Sequence, residues 1–412
     1  MRRILYAGSV HDDDERQAVL SVLDDPQGFR IGKHVAAMQE QVAALFGKRY
    51  GVMCNSGSSA LYLAVELLDL PAGSEVLTSP LTFSTDIAPL VRAGLVPVFV
   101  DIEFDTYQID VSRLEEMVTP LTKAILVPNL AGNAPDWDAI RAVADRHGLK
   151  VIEDSCDALG ATLRGTPTGT RADITVTSFS YSHIITCMGD GGMVCLDDSD
   201  WRDRALLLRR WGRRSEVQFF GSRKGERNFW EDLDGVRYDS LFIFDELGWN
   251  FGPSEIGAAF GLQQLKKLDK NYARRQENFD LLSTFFRERS DVFVPPRQTD
   301  ELYTAWLSFL VMIRPEAGFV RADLQQYLEG RGIDTRTVWT GNVARQPMMQ
   351  GVTFRVPDDG LPNADRVMES AMLLPCGHGL SLDDAAYITE CVADFLAERG
   401  LGTPAATAAA TA

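Results

Sequence analysis

Residues 123–155 read KAILVPNLAGNAPDWDAIRAVADRHGLKVIEDS. An apolar run, KAILVPN, is followed by a helical pattern, DWDAIRAVADRHG, and by a second apolar run, KVIEDS, that ends on two acids. Short runs that are apolar throughout suit strands buried on both faces, and an amphipathic helix between two of them suits a parallel pair. The same alternation extends in both directions. YGVMCN, EVLTSP, VPVFVDI, ITVTSFS and GGMVCL read as further strands, and SSALYLAVELLDL and VSRLEEMV as further helices. Between residues 50 and 200 the chain is therefore expected to form an α/β unit with a mostly parallel central sheet covered on both faces.

Beyond this unit the pattern changes. Residues 211–245 are polar and rich in aromatics and read as a long loop, whose length alone suggests a function. Residues 253–289 carry helical periodicity long enough for one long helix or two joined ones. After VFVPPR, a strand WLSFLVMIR and a helix VRADLQQYLEGRG begin a smaller α+β unit. The expected division is a large domain at 1–274, a small C-terminal domain at 275–400, and a disordered tail at 401–412 with neither charge nor pattern.

With 45% hydrophobic and 24% charged residues among 412, the chain can bury one large core and one smaller one. Its net charge of −17 argues against nucleic acid as a partner, and an anionic ligand would need a local site to hold it. No apolar run approaches the roughly 20 residues of a membrane span, and the N-terminal apolar stretch is too short for a signal peptide. The six cysteines are scattered without a CxxC pair and read as reduced thiols of a cytoplasmic protein.

Several stretches carry chemistry beside an ordinary reading. In CNSGSSALYLAV, Gly57, Ser58 and Ser59 lie between a strand and a helix, where free N–H groups suit a phosphate; a serine N-cap explains the same residues. Glu153 and Asp154 end an apolar strand, the ligand edge of an open parallel sheet, and a carboxylate there can keep a ring nitrogen such as a pyridinium protonated. A helix N-cap or surface acid is the plainer reading. Phe83 follows another strand end, where an aromatic face is either a platform for a planar cofactor or core. Ser178 is a second phosphate ligand or a strand-end hydroxyl, and Asn250 precedes a helix, as turn residues do. His183, within SFSYSHIITCMGDGGMV (178–194), makes no metal-like pair with His11, His34, His147 or His378, so no metal site is expected.

The order and spacing of NSGSSAL, TFSTDIAPLVRAGLVPVFVDI, EDSCDALGA, SFSYSHIITCMGDGGMV and LGWNFGPSEIGAAFGLQQL resemble the DegT/DnrJ/EryC1/StrS family of sugar aminotransferases, from about residue 5 to 400. The resemblance implies the aspartate-aminotransferase-like fold (PLP-dependent transferase fold type I) and pyridoxal 5′-phosphate (PLP) as cofactor. It implies that Ser58, Ser59 and Ser178 hold the cofactor phosphate beside Gly57, that Phe83 stacks on the ring, that Asp154 pairs with the pyridine nitrogen, and that Asp157 lies near the ring hydroxyl. It also implies a homodimer with shared active sites, in which Asn250 reaches the neighbouring subunit's cofactor.

The departure is at His183, where the family's aminotransferases have the lysine that binds PLP covalently; Asp190 likewise replaces a glutamate. Imidazole cannot form that bond stably, so the cofactor must be held non-covalently, while a histidine can still move protons near neutral pH. This pattern resembles the subgroup of PMP-dependent (pyridoxamine 5′-phosphate) sugar 3-dehydratases. It implies a lyase acting on a nucleotide-linked 4-keto-6-deoxyhexose in deoxysugar biosynthesis, with glutamate as amino donor and His183 as acid/base. TRTVWTGNVARQPMM extends the likeness and makes Arg336, Asn342 and Arg345 candidates near the substrate. One branch of the subgroup carries a [2Fe–2S] cluster on four cysteines. Cys156 fits one of them, but no cysteine lies between 195 and 376, so the cluster-free branch is expected and Cys156 reads as a small buried side chain. Two alternatives stand beside this reading: an aminotransferase-like enzyme on an unusual sugar or cyclitol, and a catalytically altered partner subunit.

Overall fold

The computed structural model describes residues 3–226 and 228–401, so the tail expected at 401–412 lies outside the described residues from 402 on. Seven strands form the main sheet: β1 (Tyr50–Cys54), β2 (Glu75–Thr78), β3 (Val96–Phe99), β4 (Thr122–Pro128), β5 (Lys150–Asp154), β6 (Ile174–Ser178) and β7 (Gly192–Leu196). Their order is β1-β7-β6-β5-β4-β2-β3. Every pairing among β2 to β6 is parallel, and β7 runs antiparallel to both of its neighbours. Because β7 alone is reversed, the carboxyl ends of β1, β4, β5 and β6 open on one edge.

Residue alternation explains why these strands are apolar throughout. Ala124, Leu126 and Ile152 pack with the helix Gly57–Leu67 on one face. Ile125, Val127 and Val151 pack on the other with Trp137 and Ile140 of the helix Trp137–His147. That helix begins where the Asp136 side chain accepts from the amides of Asp138 and Ala139, and it ends at Gly148, whose φ of 63° suits glycine. The Trp137 indole donates to Asn129 at 2.8 Å, and Asn129 donates to the enclosed Glu153 at 2.7 Å. Truncating Trp137 to alanine would cost about 3–5 kcal/mol from lost packing. Glu153 thus serves the core, and the neighbouring Asp154 is left for the edge.

The seven strands match the seven apolar runs in order, each run extending past the end of its paired strand or meeting it. VSRLEEMV is shorter in structure than in pattern: a 3-10 turn (Val111–Arg113) and a single α turn (Leu114–Met117). Residues 253–289 form two helices, Glu255–Lys266 and Leu268–Arg287, that meet at Lys267. The region read as a loop at 211–245 holds the short helix Ser215–Phe220 and a ribbon of Trp230–Leu233 against Val236–Asp239. Asp234 and Gly235 close the ribbon with φ of 51° and 83°, the positive pair that a two-residue hairpin turn requires. That Asp-Gly signal was present in the sequence and outweighs the segment's polarity.

A second sheet contains β8 (Phe293–Val294), β9 (Ser308–Ile313), β10 (Arg336–Thr337) and β11 (Ala371–Pro375), antiparallel in the order β8-β9-β11-β10. Phe309, Val311 and Ile313 of β9 pack against the helices Leu268–Arg287 and Leu382–Ala397. Leu310 and Met312, on the opposite face, meet Leu81, Tyr107 and Leu130 from the main unit. This second contact sets the small sheet over the open edge of the main one. Ile4, near the N-terminus, bridges Ile333 and is buried in the same cluster as Phe309.

Candidate active site

The carboxyl ends of β1, β4, β5 and β6 surround a cavity of about 250 Å³ lined by, among others, Gly57, Ser58, Phe83, Asp154, Asp157, Ser178 and His183. Gly57 opens the helix Gly57–Leu67, capped by the Ser56 side chain, which accepts from the Ser59 amide at 3.1 Å. A Cβ on Gly57 would lie 2.6 Å from the Ser178 Cβ and 3.1 Å from the Cys156 Sγ. Only a residue without a side chain lets the helix N-terminus approach the end of β6 this closely. The Ser178 hydroxyl has only long internal bonds, to the Gly191 carbonyl at 3.5 Å and from the Ser180 amide at 3.3 Å. The helix start, Ser58 and Ser178 together form a donor-rich cradle suited to a phosphate. Ser59 does not line the cavity; its hydroxyl donates to Asn55 at 2.7 Å.

Three acids meet beneath the cavity. Asp154 accepts from the Cys156 amide at 3.0 Å, and its carboxyl lies close enough to that of Asp86 for each to act on the other's proton. Asp86 lies fully buried in the first turn of the helix Ser84–Arg92 and accepts from the Thr82 hydroxyl. Burial, followed by the charge of Asp154, pushes Asp86 well above the carboxylate range. Two enclosed carboxyls beside each other cannot both ionise, so Asp86 keeps its proton next to Asp154. Burial raises Asp154 as well, against the opposing influence of Cys156 and Asp86. Asp157 accepts from the Ala131 amide at 3.0 Å, and burial together with the charge of Asp154 pushes it up to about 7.

His183 sits in the loop after β6 with its Nε2 3.9 Å from Asp157 Oδ1. Burial pushes its pKa down to about 4, so the imidazole is neutral near pH 7. Its Nδ1 is enclosed with no hydrogen bond of ordinary geometry among the described residues, the Ser178 backbone being the group near the ring, which leaves Nε2 as the nitrogen that a ligand can reach. Phe83, 51% exposed, borders the opening with an aromatic face. Phosphate cradle, aromatic face, buried carboxylate and neutral imidazole form a set that fits a planar phosphorylated ring bearing a basic nitrogen.

The remaining sequence candidates lie elsewhere. Asn250 is exposed and bridges Arg210. Arg336 is exposed, donates to the Thr335 carbonyl at 2.6 Å and lies 5.6 Å over the Tyr6 ring. Asn342 is buried, donating to Asp365 at 2.6 Å, and Arg345 pairs with the same Asp365. Cys156, read from the sequence as a small buried side chain, lines the cavity, and burial beside Asp154 pushes its thiol well above the usual range. Asp86, Asn129 and Trp339 also belong to the site's surroundings and carried no local signal. An acid in a first helical turn reads as a complement to the helix dipole, which hides Asp86. Among the described residues no cluster of His, Cys, Asp or Glu is arranged to hold a metal ion, and no helix is long and apolar enough to cross a membrane.

Comparison with known proteins adds a second kind of observation. The sequence model of the DegT/DnrJ/EryC1/StrS aminotransferase family matches residues 10–393. The chain is 33% identical over 402 residues to a dTDP-4-dehydro-2,6-dideoxy-D-glucose 3-dehydratase of Saccharopolyspora spinosa, covering 95% of this chain and 86% of that protein. It is 33% identical over 391 residues to a GDP-4-keto-6-deoxy-D-mannose 3-dehydratase of Escherichia coli O55:H7 (strain CB9615 / EPEC), covering 93% and 98%. A crystal structure of GDP-4-keto-6-deoxymannose-3-dehydratase with a trapped PLP-glutamate geminal diamine superposes with a TM-score of 0.83 at 29% identity, covering 94% of this chain and 100% of that one. The α/β architecture with one reversed strand in a mostly parallel sheet is that of the type I PLP-dependent transferases.

Proposed function

The chain belongs to the DegT/DnrJ/EryC1/StrS aminotransferase family, and from that premise we propose that it is a PLP/PMP-dependent lyase removing the C3 hydroxyl of a nucleotide-linked 4-keto-6-deoxyhexose. The observation that carries this reading is His183, a neutral imidazole in the cavity that Gly57, Ser58, Phe83, Asp154 and Ser178 also line. A lysine there would tether the cofactor covalently, whereas imidazole leaves it free and supplies only a proton carrier.

The residues present fit the group. The amide-rich helix start at Gly57, with Ser58 and Ser178, would hold its phosphate; Phe83 would cover its ring, and Asp154 would face its nitrogen. Bound there, the cofactor supplies an amine and a conjugated ring that accepts electrons, the chemistry an elimination beside a ketone needs. Asp154 holds the ring nitrogen's proton in place, with the protonated Asp86 beside it. His183 moves a proton at Nε2, with burial keeping the imidazole unprotonated and ready to accept one. Asp157, with a pKa near 7, faces that same nitrogen and can stabilise the imidazolium once it forms.

Glutamate serves as amino donor in this account, as the PLP-glutamate adduct of the related crystal structure suggests. The enzyme works as a homodimer, and Asn250, exposed and outside the chain's own cavity, contributes to the neighbouring subunit's site. Arg336 contacts substrate; Asn342 and Arg345, both tied to Asp365, act by holding the turn next to Trp339. Reconstitution tests the reading. Protein loaded with PLP should give a bound spectrum that borohydride cannot fix to the chain, and glutamate should convert it to PMP. Absence of any bound cofactor would sink the proposal.

A further inference from the structure

A second cavity, also about 250 Å³, adjoins the first, and Ser182 lines both. Its walls come from residues 3–10, Arg275 of the helix Leu268–Arg287, Leu307, and the turn after β11 that carries Gly377 and His378. Arg275 is 3% exposed, and no carboxylate pairs with it among the described residues. Its Nε donates to His378 Nδ1 at 3.1 Å, and its Nη1 donates to the carbonyls of Trp306 at 2.9 Å and Leu307 at 3.1 Å. Among the described residues no acceptor meets its Nη2.

The His378 tautomer follows from these bonds. A ring nitrogen that accepts from a guanidinium carries no proton, so the proton sits on Nε2. That Nε2 is enclosed and has no partner among the described residues. Burial and the neighbouring guanidinium hold His378 down at about 3, keeping it neutral, while burial brings Arg275 down only to about 10, leaving it cationic. Two donors without acceptors and one uncompensated buried charge therefore share one wall. Such an arrangement is costly unless an anion completes it. The acid on this wall, Asp384, accepts from the amide and hydroxyl of Ser381 at the head of the helix Leu382–Ala397.

We propose that Arg275 Nη2, with its guanidinium braced by His378, forms a carboxylate site for the amino donor, an α-amino dicarboxylic acid whose amine reaches past Ser182 into the cavity of His183. The assignment rests on the reading that an amino acid recharges the cofactor. It places donor recognition on the small sheet's side of the site, apart from the phosphate cradle.

Calorimetric titration of the cofactor-free protein with glutarate, a dicarboxylate that lacks the amine, tests the site without turnover. Wild type should bind, and Arg275→Gln and His378→Phe should each weaken binding by about tenfold or more. Arg297→Gln, a surface arginine paired with Asp105 and Glu103, should bind as wild type does. Arg275 also holds two backbone carbonyls, so His378→Phe, checked for unchanged melting temperature and PLP binding, is the decisive variant. In the loaded enzyme that variant should raise the KM for glutamate while leaving dehydration from preloaded PMP unchanged. No glutarate binding by wild type, or full affinity in His378→Phe, overturns the assignment. Failure of the dehydratase reading alone would leave glutarate binding intact, so the two fail separately.

Discussion

Replacing Asp157 by asparagine should stabilise the cofactor-free protein, increasingly so as pH rises. Burial and the charge of Asp154 bring this carboxyl to a pKa of about 7, from 3.8 for an unperturbed aspartate. Between those values the unfolded chain has released a proton that the folded chain retains, so stability falls as pH rises through that window. The loss is complete above pH 7 and absent below the unfolded value. At 1.36 kcal/mol per unit, the deficit is about 2 kcal/mol at pH 5 and about 4 kcal/mol at pH 8. Asparagine keeps an acceptor for the Ala131 amide and carries no charge to desolvate, so it removes the deficit. Denaturant midpoints of wild type and Asp157→Asn, measured without cofactor at both pH values, give the comparison. The variant should be the more stable, with between two and three times the advantage at pH 8. Equal advantages at the two pH values, or a less stable variant at pH 8, would refute the account of Asp157 as a carboxyl strained for function.

Three further substitutions probe the neighbouring parts. His183→Lys should let PLP attach covalently, seen by mass spectrometry after borohydride reduction, and should slow dehydration by about 100-fold or more through loss of the positioned acid/base; an unlabelled chain would show that His183 does not occupy the lysine's place. Gly57→Ala should weaken PLP binding and destabilise the chain by about 1–3 kcal/mol, because its Cβ meets Ser178; a spectroscopic titration indistinguishable from wild type would remove the close-approach argument. Asp86→Asn should leave stability at pH 7 nearly unchanged, since a neutral amide beside Asp154 replaces a neutral carboxyl and still accepts from Thr82, whereas Asp86→Leu should cost about 1–3 kcal/mol by leaving the buried Thr82 hydroxyl without its acceptor. Urea midpoints that rank the two variants equally would show that Asp86 does not keep its proton.

Much of the main sheet was legible because its strands are buried on both faces: runs such as KAILVPN are apolar at alternate positions toward each of two cores. The ribbon at 230–239 was obscured because both its strands are exposed and show no apolar alternation toward a core, leaving only Asp234-Gly235 as a signal. Within the site, Gly57, Ser58, Phe83, Asp154 and Ser178 were candidates because each ends or follows a strand, where an α/β sheet gathers its ligands, whereas Asp157 and the weight placed on His183 came from the family resemblance. Asp86, Arg275 and His378 were not candidates. Their significance lies in partners far away in sequence, and a fully buried acid or arginine looks like any surface charge until the fold encloses it.

The most direct test of the central claim is the product formed when the PLP-loaded enzyme meets glutamate and a nucleotide-linked 4-keto-6-deoxyhexose. Mass spectrometry and NMR should show a sugar that has lost its C3 oxygen and kept its C4 ketone, with formation abolished in His183→Asn. An amino sugar that retains the C3 hydroxyl, or full activity in His183→Asn, would contradict the account.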